Sequence, residues 1–386
     1  MSIDYNMKKI LLVISALLPF FSGAQSLSYE KVNSEIKKLY APDSRQAVWE
    51  VSFKKSGNSI VAYGQTSEAK AHVAFKELMR NNNINYIDSI NVYPDNQWAL
   101  VRISVASLRG GAKHSAEIVT QALMGTPLRL LERKGEWWRV QSPDGYISYV
   151  PVSSLQKLTI DEMKSWRSAN RLIVKSLPQI RVYNSPEATS VRDIVTDLVN
   201  GCIVEGVVSD DSKIKVKLPD GRVGWVCASD VEDIHDWANQ KFNAEKILET
   251  AYSMMGTPYL WGGMSTKALD CSGLARVSYF ANGIILMRDA SQQAKTGMRI
   301  EPENWRQCKA GDLLYFGNAK TKRVTHVAIY DHDGRYIHSS GRVKVNSVDP
   351  QDELYLTTPF LSAIRVDGQE GTKGITRVAN HKWYFN

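Results

Sequence analysis

The chain carries only 4 cysteines in 386 residues, too few for a disulfide framework to replace a hydrophobic core. Apart from one short N-terminal stretch, no segment approaches the ~20 consecutive apolar residues that a helix needs to cross a bilayer. No phosphate loop or dinucleotide fingerprint appears, and no basic run with interleaved aromatics marks a nucleic-acid surface. His72, His114, His235 and His381 are scattered without metal-ligand spacing. What is present is ordinary globular material, 43% hydrophobic and 23% charged, with a net charge of +8. The length suits two to four domains, and 10 Trp with 17 Tyr point to aromatic-rich β modules among them.

Met7-Lys8-Lys9, the apolar stretch Ile10 to Phe21 and the small residues Ser22-Gly23-Ala24 have the layout of an export signal spanning residues 1–24. Translation can equally begin at Met7, and a buried N-terminal helix is the alternative reading. No cysteine follows the apolar stretch, so a lipid anchor is not expected. The mature chain is expected in the periplasm or outside the cell, without stable membrane insertion.

Residues 25–103 read as an α/β segment. Val48 to Phe53 and Ser59 to Tyr63 predict a hairpin across a turn at 54–58, and Thr66 to Arg80 has helical spacing. An internal repeat follows. Val119 to Thr126 aligns without a gap on Val195 to Cys202, and the same shift of 76 residues places Pro143 to Val150 on Pro219 to Val226. Each copy alternates short apolar strands with glycine turns, the pattern of a small β-barrel of about five strands. The copies are expected at 104–158 and, after a linker helix, within 159–233. The Pro-Asp-Gly turns resemble the bacterial SH3-like domains that accompany cell-wall enzymes. Residues 234–386 then place helices before antiparallel strands, an α+β arrangement.

Cys271, in Leu269-Asp270-Cys271-Ser272-Gly273-Leu274, stands where a polar loop enters an apolar helix. A thiol at a helix N-terminus is expected to have a lowered pKa, although a buried core thiol is the common alternative. His326 and His338 lie in two apolar strands joined through Asp331 to Gly334. Cys, His and His can supply a nucleophile, a general base and a group that orients the base. An odd-length or bulged turn puts both histidines on one face of the hairpin; a two-residue turn at Asp333-Gly334 would separate them.

Pro258-Tyr259-Leu260-Trp261-Gly262-Gly263, Asp270-Cys271-Ser272-Gly273-Leu274, Arg288-Asp289-Ala290, Gly311-Asp312-Leu313, Thr325 to Tyr330 and Ile337-His338-Ser339 together resemble the NlpC family of papain-like cell-wall cysteine peptidases. With SH3-like modules upstream, the resemblance extends to the branch that cuts γ-D-glutamyl-diamino acid bonds in peptidoglycan stem peptides and requires a free N-terminal L-Ala. It implies Cys271 as nucleophile, His326 as base and His338 as the residue that orients it. Substrate contacts are implied for Tyr146, Tyr259, Trp261, Asp270, Ser272, Arg288 and Asp289. Asp289 is the expected partner of the substrate ammonium, with a helix N-cap as its alternative role. Tyr146 is expected to close the amine end, or else to be a half-buried barrel tyrosine. Where relatives often carry serine after this Asp, the chain has Ala290.

The expected whole is multidomain: an α/β segment, two SH3-like barrels and a papain-like α+β catalytic domain. No metal or cofactor is expected. Its partners are peptides of the type L-Ala-γ-D-Glu-diamino acid and not nucleic acid, and a monomer is the expected state. A wall-binding protein that works through its barrels is the alternative. Export would permit a disulfide between Cys202 and Cys227.

Overall fold

The computed structural model describes residues 27–386. The expected export signal lies outside the described residues, and among these no helix is long and apolar enough to cross a membrane. The chain forms two compact units, divided between Tyr93 and Pro94.

In the first unit Ser28 caps the helix Tyr29–Tyr40, whose Val32 and Ile36 are buried. The hairpin runs longer than the turn cluster suggested. Trp49–Ser56 pairs with Ser59–Thr66 down to Ser56 opposite Ser59, so only Gly57 and Asn58 turn the chain. The helix Ala69–Asn81 then crosses over to Ile87–Val92, which lies parallel to Ser59–Thr66. Phe75 is fully buried within the cluster that includes Trp49, Ala62, Ala71 and Met79.

The second unit opens with the repeat. Each copy contributes seven strands to an antiparallel sheet, more than the five its sequence suggests. The order in the first is Leu155–Leu158, Trp98–Val101, Pro127–Lys134, Trp137–Gln141, Ile147–Pro151, Val105–Arg109, Ile118–Leu123. The second repeats this order strand for strand, from Val231–Asp233 and Arg171–Val174 to Ile194–Val199. One sequence boundary shifts as a result. Trp98–Val101, expected before residue 103 in the preceding segment, pairs with strands of the first copy. The linker helix ends at Ser168, and Arg171–Val174 already belongs to the second sheet. Cys202 and Cys227 are both free.

The remaining residues pack the helices Ala244–Ser253 and Cys271–Phe280 against a six-stranded antiparallel sheet. Its order is Met298–Ile300, Phe360–Arg365, Leu313–Gly317, Val324–Tyr330, Arg335–Ser340, Arg342–Ser347. Ile247, Leu248, Leu274, Val277, Val327, Ile329 and Ile337 share one buried cluster, which fixes the Cys271–Phe280 helix on the two strands that carry the histidines.

Candidate active site

The Cys271–Phe280 helix starts where it does because Asp270 caps it, its Oδ1 accepting the Gly273 N–H at 2.6 Å. Two glycines make the local geometry possible. A Cβ on Gly273 would lie 2.0 Å from the Gly263 carbonyl oxygen. A Cβ on Gly262, at φ +78°, would lie 2.3 Å from that of Ile118 in the first repeat. The loop from Pro258 to Gly263 is thus held between the nucleophile helix and the repeat.

Cys271 is 8% exposed. The lowered thiol pKa expected at a helix N-terminus is not found. Burial, and after it the charge of Asp270, push the thiol up to about 11, outweighing the N–H groups of Val327 and Ser272 that favour thiolate. The resting thiol is protonated at neutral pH, so a base must take its proton.

A candidate base comes from the hairpin. Ile329 pairs with Ile337 and Tyr330 with Tyr336, an odd connection that leaves His326 and His338 on one face, two residues out of direct opposition. Their rings meet, His326 Nε2 to His338 Nδ1, at 2.7 Å. His338 Nε2 lies 2.9 Å from Asn346 Oδ1, and Asn346 Nδ2 donates to the Leu354 carbonyl at 2.9 Å. This last bond orients the amide and thereby assigns the tautomers. Asn346 Oδ1 must accept, so His338 carries its proton on Nε2 and accepts on Nδ1, and His326 donates from Nε2. His326 Nδ1 keeps a free lone pair. Burial, with the neighbouring His338 and Lys344, lowers His326 to about 3; burial, against the Asn346 hydrogen bond, lowers His338 to about 4. Both rings are neutral at neutral pH.

Asn346 was not found from the sequence. The signal was available in the strand Arg342–Ser347. His338 pairs with Lys344, which puts Asn346 diagonally beside the imidazole on the same face.

Asp270, Ser272 and Arg288, all expected to contact substrate, come together in one buried network beside Cys271. Arg288, 1% exposed, donates to Asp270 Oδ2 at 2.5 Å, to Ser272 Oγ at 2.8 Å and to Thr120 Oγ1 at 2.9 Å. Asp270 Oδ2 also accepts from Gly262 N, and Ser272 Oγ donates to Asp270 Oδ1. A buried guanidinium and a buried carboxylate need each other to offset lost hydration.

Asp289, next in the chain, is differently placed. It starts the short helix Ala290–Gln293 in a capping box with Gln292, and its Oδ2 accepts from the Tyr146 hydroxyl at 3.2 Å. Tyr146 is itself buried, so the cap and the barrel-tyrosine readings hold alongside the contact. In the second copy Arg222 stands at the matching position and pairs with Asp220 instead. Tyr259 is partly buried, and burial, with the charges of Cys271 and Asp270 next, raises its phenol to about 12. Trp261 is 61% exposed on the loop surface.

Residues 256–365 match the NlpC/P60 family, and residues 108–155 match the bacterial dipeptidyl-peptidase Sh3 domain. The chain is similar to dipeptidyl-peptidase 6 of Lysinibacillus sphaericus, at 31% identity over 272 residues covering 67% of this chain and 94% of that protein. It is also similar to γ-D-glutamyl-L-lysine dipeptidyl-peptidase of Bacillus subtilis (strain 168), at 29% identity over 231 residues, 58% of this chain and 72% of that protein. In fold it resembles the crystal structure of an NlpC/P60 family protein from Bacillus cereus ATCC 10987, with a TM-score of 0.59 and 22% identity over 69% of this chain and 99% of that one.

Proposed function

The chain belongs to the NlpC/P60 family, and from that premise we propose that it is a peptidoglycan cysteine peptidase acting on the γ-D-glutamyl bond to the diamino acid in stem peptides with a free N-terminal L-Ala. His326 Nδ1 takes the thiol proton as Cys271 Sγ attacks the γ-carbonyl carbon. The Cys271 N–H, at the first position of its helix, is the donor for the developing oxyanion. Collapse of the tetrahedral adduct expels the amine, which leaves with the proton from His326, and water then releases the thioester through the same base. His338, held by Asn346, keeps His326 in the tautomer that can accept. The second copy of the repeat is read as another SH3-like module, and the protein as exported to the cell envelope.

The free-amine requirement is carried by one observation: the Tyr146 hydroxyl on Asp289 at 3.2 Å. Asp289 follows the arginine that holds Asp270, so a carboxylate stands one step from the nucleophile's own support. Incubation with L-Ala-γ-D-Glu-diaminopimelate and with its N-acetylated form tests the reading. Cleavage of the free peptide alone is expected. Equal cleavage of both would remove the amine pocket, and cleavage of neither would leave the wall-binding alternative.

A further inference from the structure

The nucleophile helix holds a second charged group at its far side. Arg276, five residues after Cys271 and thus about 7.5 Å further along the axis, pairs with Asp144 of the first repeat at 2.8 Å. Their side chains are 10% and 1% exposed. Asp144 is also the organiser of its own turn, its Oδ1 accepting from Ser142 Oγ at 2.5 Å and from Tyr146 N at 3.4 Å. Ser142 N donates to the Tyr146 carbonyl, and His381 Nε2 donates to the Pro143 carbonyl from the other side. The turn that presents Tyr146 is therefore clamped by the peptidase part at two points.

The duplicated copy provides an internal comparison. Asp220, the counterpart of Asp144, pairs locally with Arg222 at 2.9 Å and with Arg102 at 3.4 Å. An aspartate at this turn position can thus be satisfied within the repeats. In the first copy that local partner is replaced by Tyr146, and the carboxylate is paired from the nucleophile helix.

Resting on the proposed function, we infer that the Arg276–Asp144 pair positions Tyr146 against Asp289 and so sets the preference for a free amine, with one rigid helix carrying both the nucleophile and the anchor of the specificity turn. Neither residue reaches the reacting atoms, and both are positioning residues. Their loss should act on binding of the amine end rather than on the chemical step.

Arg276→Met, Asp144→Asn and Arg276→Lys, each checked for folding by thermal melting, are to be assayed on L-Ala-γ-D-Glu-diaminopimelate and its N-acetylated form. For Arg276→Met and Asp144→Asn, KM for the free peptide is expected to rise about tenfold or more, with kcat within about threefold and the preference over the acetylated peptide reduced. Arg276→Lys, which keeps the charge but loses the planar fork, should fall between these and wild type. Folded variants with wild-type KM and preference overturn the inference, as does a fall in kcat with KM unchanged. If the first two do not fold, Arg276→Lys decides: a raised KM supports the inference and a wild-type KM overturns it. A wild-type protein that cleaves neither peptide retires the proposed function and this inference together, whereas wild-type discrimination with unaltered variants retires the inference alone.

Discussion

Arg288 Nε donates to Thr120 Oγ1 at 2.9 Å, so a threonine of the first repeat completes the polar shell behind the nucleophile. The guanidinium is fully engaged between Asp270, Ser272 and Thr120. Arg288→Met would leave Asp270 charged and buried without its partner. Removing one member of a buried pair costs about 3–5 kcal/mol, and denaturant unfolding should show a loss of that order together with lost activity. Wild-type stability in this variant would mean that Asp270 is satisfied by the backbone alone.

Asn346 meets His338 at 2.9 Å, so in the proposed mechanism it acts through that ring. Asn346→Leu removes the acceptor that holds the His338 proton on Nε2 and allows the tautomer in which His326 has no free lone pair toward the thiol. The expected result is a fall in kcat of about 10- to 100-fold with KM little changed. Steady-state kinetics on a folded variant decides, and an unaltered kcat would show that His338 needs no further support.

Both histidines have folded pKa values below their ordinary 6.5, about 3 for His326 and about 4 for His338. Between these values and 6.5 the unfolded chain binds more protons than the folded one, so stability is complete above pH 6.5 and is lost as the pH falls toward 4. Equilibrium unfolding should show a loss of about 6 kcal/mol over that range that is absent from a His326→Gln/His338→Gln double variant. A double variant with the wild-type slope would assign the acid sensitivity elsewhere.

Cys271→Ala is expected to abolish turnover while preserving the fold, because alanine removes one buried sulfur and leaves the Asp270 cap on Gly273. Product formation measured by chromatography is the check, with thermal melting in parallel. Residual turnover above background would place the nucleophile on another residue.

Much of the site was legible before the fold was known, for local reasons. Cys271 is marked by the passage from polar loop to apolar helix, and His326 and His338 by their isolation in apolar strands. The repeat was legible because its turns keep one spacing. Asn346 and Arg276 were hidden for opposite causes. Asn346 matters only through the register between two strands and through a carbonyl contributed by Leu354. Nothing local to its helix marks Arg276, and its burial follows from a turn 132 residues earlier in the chain. The direction of the thiol pKa was misread because sequence reveals the helix terminus and not the depth at which it is buried. Trp98–Val101 was assigned to the wrong segment because its strand partners lie at Pro127–Arg129 and Leu155–Leu158, beyond any local pattern.

The hydrogen bond from Arg288 to Thr120 also bears on how such a peptidase can be inherited. Residues 234–386 are not a freely portable cassette. Joined to an unrelated upstream domain, they would expose one edge of a buried guanidinium behind the nucleophile and leave Asp289 without its tyrosine. The first repeat is in this sense part of the peptidase's own scaffold, since Thr120 and Tyr146 would be lost together with it.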